Sequence, residues 1–242
     1  LMLKVSVVIP AYNEEDRLPG TLQRLRELSD RGELKAEICE VLVIDDGSRD
    51  RTREVVESGR DQWPLLRLCS LQENRGKGAA VKKGLIEARG DWILVADADM
   101  ATPWEELNKL LVYSDSADLI MGSRALPDSL IEVRQHWIRQ TMGKIFNRIM
   151  RFFIGLPYKD TQCGFKLVRN EEVFRTKILP LLSVERFAWD VELILFMEKF
   201  RLRVREVPIR WQHKESSRVR SVHDSIEMLF AIRQMRRRLK KA

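Results

Sequence analysis

The sequence predicts an α/β fold: a mainly parallel sheet with helices on both faces, followed by amphipathic helical elements toward the carboxyl end. Three observations predict it. Short apolar runs rich in β-branched residues recur at residues 5–9, 38–44, 65–70, 92–96 and 118–122. Segments with apolar residues at helical spacing separate them. The chain of 242 residues has the length of one ordinary α/β domain. Strand–helix alternation implies parallel strands covered on both faces. Right-handed crossovers then bring every strand's carboxyl end to one edge, and ligands of open α/β sheets bind outside that edge.

The first run, Val5-Ser6-Val7-Val8-Ile9-Pro10, reads as a buried parallel strand. Pro10 is expected to end it, because proline cannot donate to a ladder. The loop Ala11-Tyr12-Asn13-Glu14-Glu15 leads to a helix with Leu18, Leu22, Leu25 and Leu28 on one face. The second strand closes at Asp45-Asp46-Gly47-Ser48, and a helix is expected to begin within residues 48–52, with Val55 and Val56 inward. After the third strand, Asn74-Arg75-Gly76-Lys77-Gly78 is a tight turn into a helix carrying Ala80, Val81, Leu85 and Ala88. The fourth strand stops at Asp97-Ala98-Asp99. Pro103 is placed to start a helix with Leu107, Leu110 and Leu111, and a fifth strand follows. Tyr12, Asp46 and Asp99 each follow a strand, so they are expected to meet in one crevice.

Composition narrows the function. Hydrophobic content of 44% and charged content of 33% are those of a globular domain. The net charge of +7 suits an acidic or phosphorylated partner. Cys39, Cys69 and Cys163 show no metal or CxxC spacing and read as reduced thiols. No run approaches the roughly 18–20 apolar residues of a membrane span, and a strand begins almost at once after Lys4, so no leader is expected and membrane contact is expected to be peripheral. A dinucleotide fingerprint would require G-x-G-x-x-G after the first strand; Pro10-Ala11-Tyr12-Asn13-Glu14 stands there instead. Asp97 and Asp99 are oxygen ligands of the kind that Mg2+ or Mn2+ use together with substrate phosphates.

Four motifs in order, Val7-Val8-Ile9-Pro10-Ala11-Tyr12-Asn13-Glu14, Val43-Ile44-Asp45-Asp46-Gly47-Ser48, Asn74-Arg75-Gly76-Lys77-Gly78 and Asp97-Ala98-Asp99, resemble family-two glycosyltransferases of GT-A fold. Gly122-Ser123-Arg124, Asp160-Thr161-Gln162-Cys163-Gly164-Phe165-Lys166 and Trp189-Asp190-Val191-Glu192 resemble the branch that loads a sugar onto a polyprenyl phosphate. Within it the dolichyl-phosphate β-glucosyltransferases are most similar. The stretch from Trp211 to Arg218 resembles that branch's W-x-E-x-x-G-S-K, with His213, Ser216 and Arg218 departing from it.

The resemblance implies a nucleotide-sugar site of Pro10, Ala11, Tyr12, Glu14, Asp45, Asp46, Lys77, Asp97, Ala98 and Asp99. Pro10, Tyr12, Glu14 and Asp46 would hold base and ribose. Asp97 and Asp99 would hold the pyrophosphate through a divalent metal. A lipid monophosphate is already an anion and is its own nucleophile, so it needs cations rather than a general base; arginine, always charged and bidentate, suits this. Arg124, Arg139 and Arg218 are the candidates, with Asp160 and Asp99 completing the expected catalytic set. Asp190 and Glu192 are expected on the acceptor or sugar side, or else in a buried polar network.

Two amphipathic stretches bear on the acceptor. Ile138, Met142, Ile145, Ile149 and Phe152 follow helical spacing, with Lys144, Arg148 and Arg151 on another face. Met228, Ile232, Met235 and Leu239 share a face, with Arg233, Arg237 and Lys240 beside it. Such helices lie in a membrane interface or pack on the sheet or another subunit.

The expected organisation is a transferase domain over residues 1–220, with a nucleotide-sugar half at 1–122 and an acceptor half at 123–220. A basic amphipathic helix at 221–242 follows. The expected reaction is inverting transfer of one sugar, glucose from UDP-glucose first, to a polyprenyl monophosphate at the cytoplasmic face of a membrane. Alternatives are mannose from GDP-mannose, a transferase acting on a small hydroxyl acceptor, and a basic nucleic-acid-binding module. The last lacks recognition aromatics and a helix-turn-helix pattern.

Overall fold

The computed structural model describes residues 2–133, 155–186, 188–212 and 238. Its elements run β1 (Lys4–Ala11), α1 (Leu18–Asp30), β2 (Glu37–Asp45), α2 (Thr52–Arg60), β3 (Leu66–Ser70), α3 (Lys77–Glu87) and β4 (Trp92–Val95). A single 3-10 turn leads into α4 (Leu107–Leu111). Then come β5 (Leu119–Ser123), β6 (Leu130–Val133), β7 (Lys166–Arg169), α5 (Trp189–Lys199), β8 (Val204–Pro208) and β9 (Arg210–Gln212).

Seven strands form one sheet in the order β3-β2-β1-β4-β7-β5-β8, and β6 pairs with β9 in a separate ribbon. The five expected strands are all present. Two strands of the sheet are unforeseen: β7 lies antiparallel between β4 and β5, and β8 pairs parallel with β5 at the edge, so strands from the second half of the chain complete the sheet of the first. Alternating side chains split the core into two layers. Val5, Val7 and Ile9 of β1 face the layer of α1 and α4, whereas Val8 faces that of α3 and α5.

Pro10 does not end β1; it pairs with Ile44 inside the strand. The reason is backbone parity. Val8 accepts from Ala96 N on the β4 side at 3.0 Å. Pro10, two residues on, points the same way, where β4 has already stopped at Val95. No ladder donor is missed. Cys39, Cys69 and Cys163 are free thiols. Among the described residues no helix is long and apolar enough to cross a membrane.

Candidate active site

The carboxyl ends of β1, β2 and β4 are adjacent, because β1 sits between the other two. Asp46 N donates to Ala11 O at 2.8 Å, fastening the first two ends together. The loops beyond them are stitched side to side. Asn13 N donates to Ser48 Oγ (2.9 Å), Arg49 N to Asn13 Oδ1 (2.8 Å) and Glu14 N to Thr52 Oγ1 (2.7 Å). Tyr12 lies in the first of these loops, next to Asn13. Glu14 pairs with Arg17 at 2.5 Å.

Asp45 and Asp46 are buried, and their carboxylates hold the surrounding loops. Asp45 accepts from Ser48 N (3.0 Å) and Arg53 Nε (2.5 Å). Asp46 accepts from Arg75 N (2.8 Å), Gly76 N (2.8 Å) and Asn74 Nδ2 (3.1 Å). Burial pushes the Asp46 carboxyl above its ordinary value, against the pull of the two backbone donors. Its hydrogen bonds pin the turn that launches α3. The first residue of that helix, Lys77, donates its ammonium to Asp97 Oδ1.

Asp97 and Asp99 project from the end of β4 while Ala98 between them is buried. Thr21 Oγ1 donates to Ala98 O at 2.7 Å and fixes this loop from α1. Asp99 Oδ1 accepts from Ala101 N at 3.0 Å. Burial works to raise Asp97, but the charge and hydrogen bond of Lys77, together with the Lys166 and Arg124 charges, outweigh it and hold the carboxyl below the usual range. Asp99 is raised, by burial and by the Asp97 charge beside it. Among the described residues neither Oδ2 has a protein donor, and no cluster of three or more His, Cys, Asp or Glu exists that would hold a metal alone. Two carboxylates with spare oxygens fit a hard divalent cation that takes its remaining ligands from water and a diphosphate.

The acceptor-side expectations divide. Arg124, just past β5, forms a bidentate pair with buried Asp160: Nε to Oδ2 at 2.7 Å and Nη2 to Oδ1 at 2.9 Å. Its guanidinium also lies over Trp211, 5.5 Å from the ring centroid. Asp190 accepts from Lys166 Nζ at 2.5 Å, and burial raises its carboxyl despite the two lysines nearby. Glu192 is buried, with its oxygens engaged by Ser183 N (2.8 Å), Val184 N (2.9 Å), Ser183 Oγ (3.1 Å) and Arg238 Nη1 (2.6 Å). Arg139, Arg218 and most of both amphipathic stretches lie outside the described residues.

Three participants escape the sequence reading of single residues. Lys166 is fully buried in β7, and its ammonium donates to Asp190 and to Cys163 O. Trp189 lies near both ammonium groups, with Lys166 Nζ 5.3 Å and Lys77 Nζ 6.0 Å from its ring centroid. Gly164 backs directly onto the Asp97 carboxylate. The signal available was a lysine inside an apolar run, Phe165-Lys166-Leu167-Val168, where a surface charge has no place.

Comparison with known proteins bears on this geometry. The family model described as glycosyl transferase family 2 matches residues 6–174. A dolichyl-phosphate beta-glucosyltransferase of Dictyostelium discoideum is 34% identical over 234 residues, covering 93% of this chain and 71% of that protein. The Homo sapiens protein of the same name is 34% identical over 230 residues, covering 89% and 69%. Among solved structures, glucosyl-3-phosphoglycerate synthase from Mycobacterium tuberculosis has a GT-A-like fold similar to this one, with a TM-score of 0.66 at 18% identity over 96% of this chain and 79% of that one. That protein was crystallised with Mn2+, UDP-glucose and phosphoglyceric acid.

Proposed function

The chain belongs to glycosyl transferase family 2, and from that premise we propose that it transfers glucose from UDP-glucose to a polyprenyl monophosphate of the dolichyl type, with inversion at the anomeric carbon. The observation that carries the reading is the Asp97–Asp99 pair at the carboxyl edge of the sheet. Among the described residues each carboxylate keeps an oxygen without a protein donor, and Lys77 stands beside them. Similarity to dolichyl-phosphate beta-glucosyltransferases over most of the chain supports the glucose and the lipid phosphate.

In this reading residues 1–122 serve the nucleotide sugar and 123–220 the acceptor. The loops of Pro10, Ala11, Tyr12 and Glu14 and of Asp45 and Asp46 shape the nucleoside end of the crevice. Asp97 and Asp99 would hold Mg2+ or Mn2+, which as a Lewis acid stabilises a leaving diphosphate. Lys77 adds a second positive charge on the same side. Arg124, held rigid by Asp160, offers a cation to the acceptor phosphate, joined in this proposal by Arg139 and Arg218. Asp190, with its charge offset by Lys166, lies on the sugar side. The incoming phosphate oxygen is already ionised near neutral pH, so no residue is required to remove a proton from it.

Membrane contact in this proposal is peripheral, on the cytoplasmic face, with Arg233, Arg237 and Lys240 of 221–242 against an anionic surface; each contributes about 1 kcal/mol when close. The test is incubation with radiolabelled UDP-glucose, Mg2+ or Mn2+ and a short polyprenyl phosphate, with GDP-mannose in parallel. The expected product is a lipid-linked glucose. Absence of lipid-linked product from either donor overturns the acceptor assignment, and product from GDP-mannose alone overturns the donor.

A further inference from the structure

The turn that carries Lys77 is gripped from two sides, and only one belongs to the donor loops. Asp46 holds it from β2. On the other side, residues 183–186 press against it with almost no space between backbones. Ala79 N donates to Glu185 O at 2.9 Å. A methyl group on Gly76 would lie 2.6 Å from Glu185 O, and one on Gly78 would lie 2.8 Å from Arg186 O. Both glycines are therefore required by the approach of this segment. Arg75 pairs with Glu185 as well.

That segment is itself held by Glu192 of α5. One carboxylate oxygen takes Ser183 N and Val184 N, and the other takes Ser183 Oγ. The cation facing this buried carboxylate is Arg238, whose Nη1 reaches Glu192 Oε1 at 2.6 Å. Arg238 also donates to Leu181 O and Ser183 Oγ, and lies over Phe196 at 5.8 Å from the ring centroid. The guanidinium thus closes a continuous path from Arg238 through Glu192 and residues 183–186 to Gly76, Lys77 and Asp97.

We propose that Arg238 is a positioning residue for the donor site, fixing the Asn74–Gly78 turn, and with it the Lys77 ammonium, through Glu192. The assignment rests on the function proposed above for its kinetic consequence, but not for its mechanical one. A buried carboxylate with its cation removed is left uncompensated, which loosens its grip on Ser183 and Val184. The loosening passes to the turn because Gly76 and Gly78 meet the backbone of residues 184–186 directly.

The experiment compares the wild-type chain with Arg238→Ala, Arg238→Lys and Glu192→Gln. Amide hydrogen exchange is expected to rise in Arg238→Ala at residues 74–79 and 183–186, with β3 unchanged. In the glucosyl-transfer assay its KM for UDP-glucose is expected to rise about tenfold, with kcat within about twofold. Arg238→Lys is expected to restore most of both, and Glu192→Gln to reproduce the loss. Unchanged exchange at 74–79 in Arg238→Ala overturns the proposal, as does a uniform rise across the fold. Loss of kcat with KM unchanged also overturns it. Inactivity of the wild-type chain with UDP-glucose strikes the proposed function alone, while the exchange measurement still decides the role of Arg238.

Discussion

The α-carbon of Gly164 backs onto the carboxylate of Asp97 so closely that a methyl group there would lie 2.6 Å from Cγ. Real side chains do not sit at such distances. The residue after Cys163 is therefore part of the site, although it brings no functional group. Its absent side chain sets where Asp97 stands relative to Lys77 and Asp99.

Gly164→Ala follows directly. The added methyl must displace the Asp97 carboxylate by an ångström or so, and displacement on that scale costs about 10²-fold in rate where alignment matters. The expected result is a large loss of kcat/KM for UDP-glucose with a thermal transition that stays cooperative. Activity within about threefold of wild type would mean that Asp97 tolerates relocation and is not held to a fixed geometry.

Among the described residues Asp99 makes a single hydrogen bond, accepted from Ala101 N. Asp99→Ala is thus expected to fold normally while losing about 10²–10³-fold or more in transfer, the scale for removing one preorganised electrostatic group. Chelation of divalent cations should abolish transfer, and Mn2+ or Mg2+ should restore it. Circular dichroism separates this from unfolding. An Asp99→Ala protein that still transfers sugar would remove the centre of the proposed site.

Asp160 predicts an acid dependence of stability. Burial alone would raise its carboxyl, but the Arg124 charge and the hydrogen bonds from Arg124 outweigh burial and hold it below the ordinary value. A carboxyl lowered in the folded state contributes stability that is fully present above its unfolded pKa, about 3.9. It is lost as the pH falls through the lower folded value. Urea unfolding should therefore weaken below about pH 4. Asp160→Asn should flatten that limb and lower the plateau at neutral pH. The expected cost is about 2–4 kcal/mol, below that of a fully buried pair because Arg124 keeps some contact with water. An unchanged acid limb in Asp160→Asn would place the loss elsewhere.

How legible the molecule was depends on how local each feature is. β1, β2 and β4 are continuous apolar runs whose ends are marked by charge or a turn, so Asp46, Asp97 and Asp99 could be placed at one edge before any coordinates. Pro10 misled because the ladder rule concerns which neighbour a residue faces, and that depends on where β4 stops. β7 was hidden because Lys166–Arg169 begins and ends with a cation and is only four residues long. Its place in the sheet is set by partners far away in sequence. Gly164 is a contact between backbone and a distant carboxylate, which no pattern along the chain records. Glu192 depends on distant partners too: its motif neighbours do not tell a substrate-side contact from a buried polar network, and its oxygens hold Ser183, Val184 and Arg238.

Lys166 and Asp190 allow architecture to be separated from chemistry. The ammonium is fully buried in β7 and its carboxylate partner is nearly so. Lys166→Met alone leaves a buried carboxyl without its cation and is expected to cost about 3–5 kcal/mol. Replacing both members with apolar residues, Lys166→Met with Asp190→Leu, removes the stranded charge, and such replacements are often neutral or stabilising. The double variant should therefore recover most of the stability that the single one loses, read as the midpoint of urea unfolding. Transfer should not recover with it. Asp190 and Lys166 act on Trp189, Lys77 and Asp97 through charge, and leucine with methionine supplies none. A double variant that regains both stability and activity would reduce this pair to packing. One that regains neither would show that the two ions specify the local structure of β7 and α5 rather than adding to a site built without them.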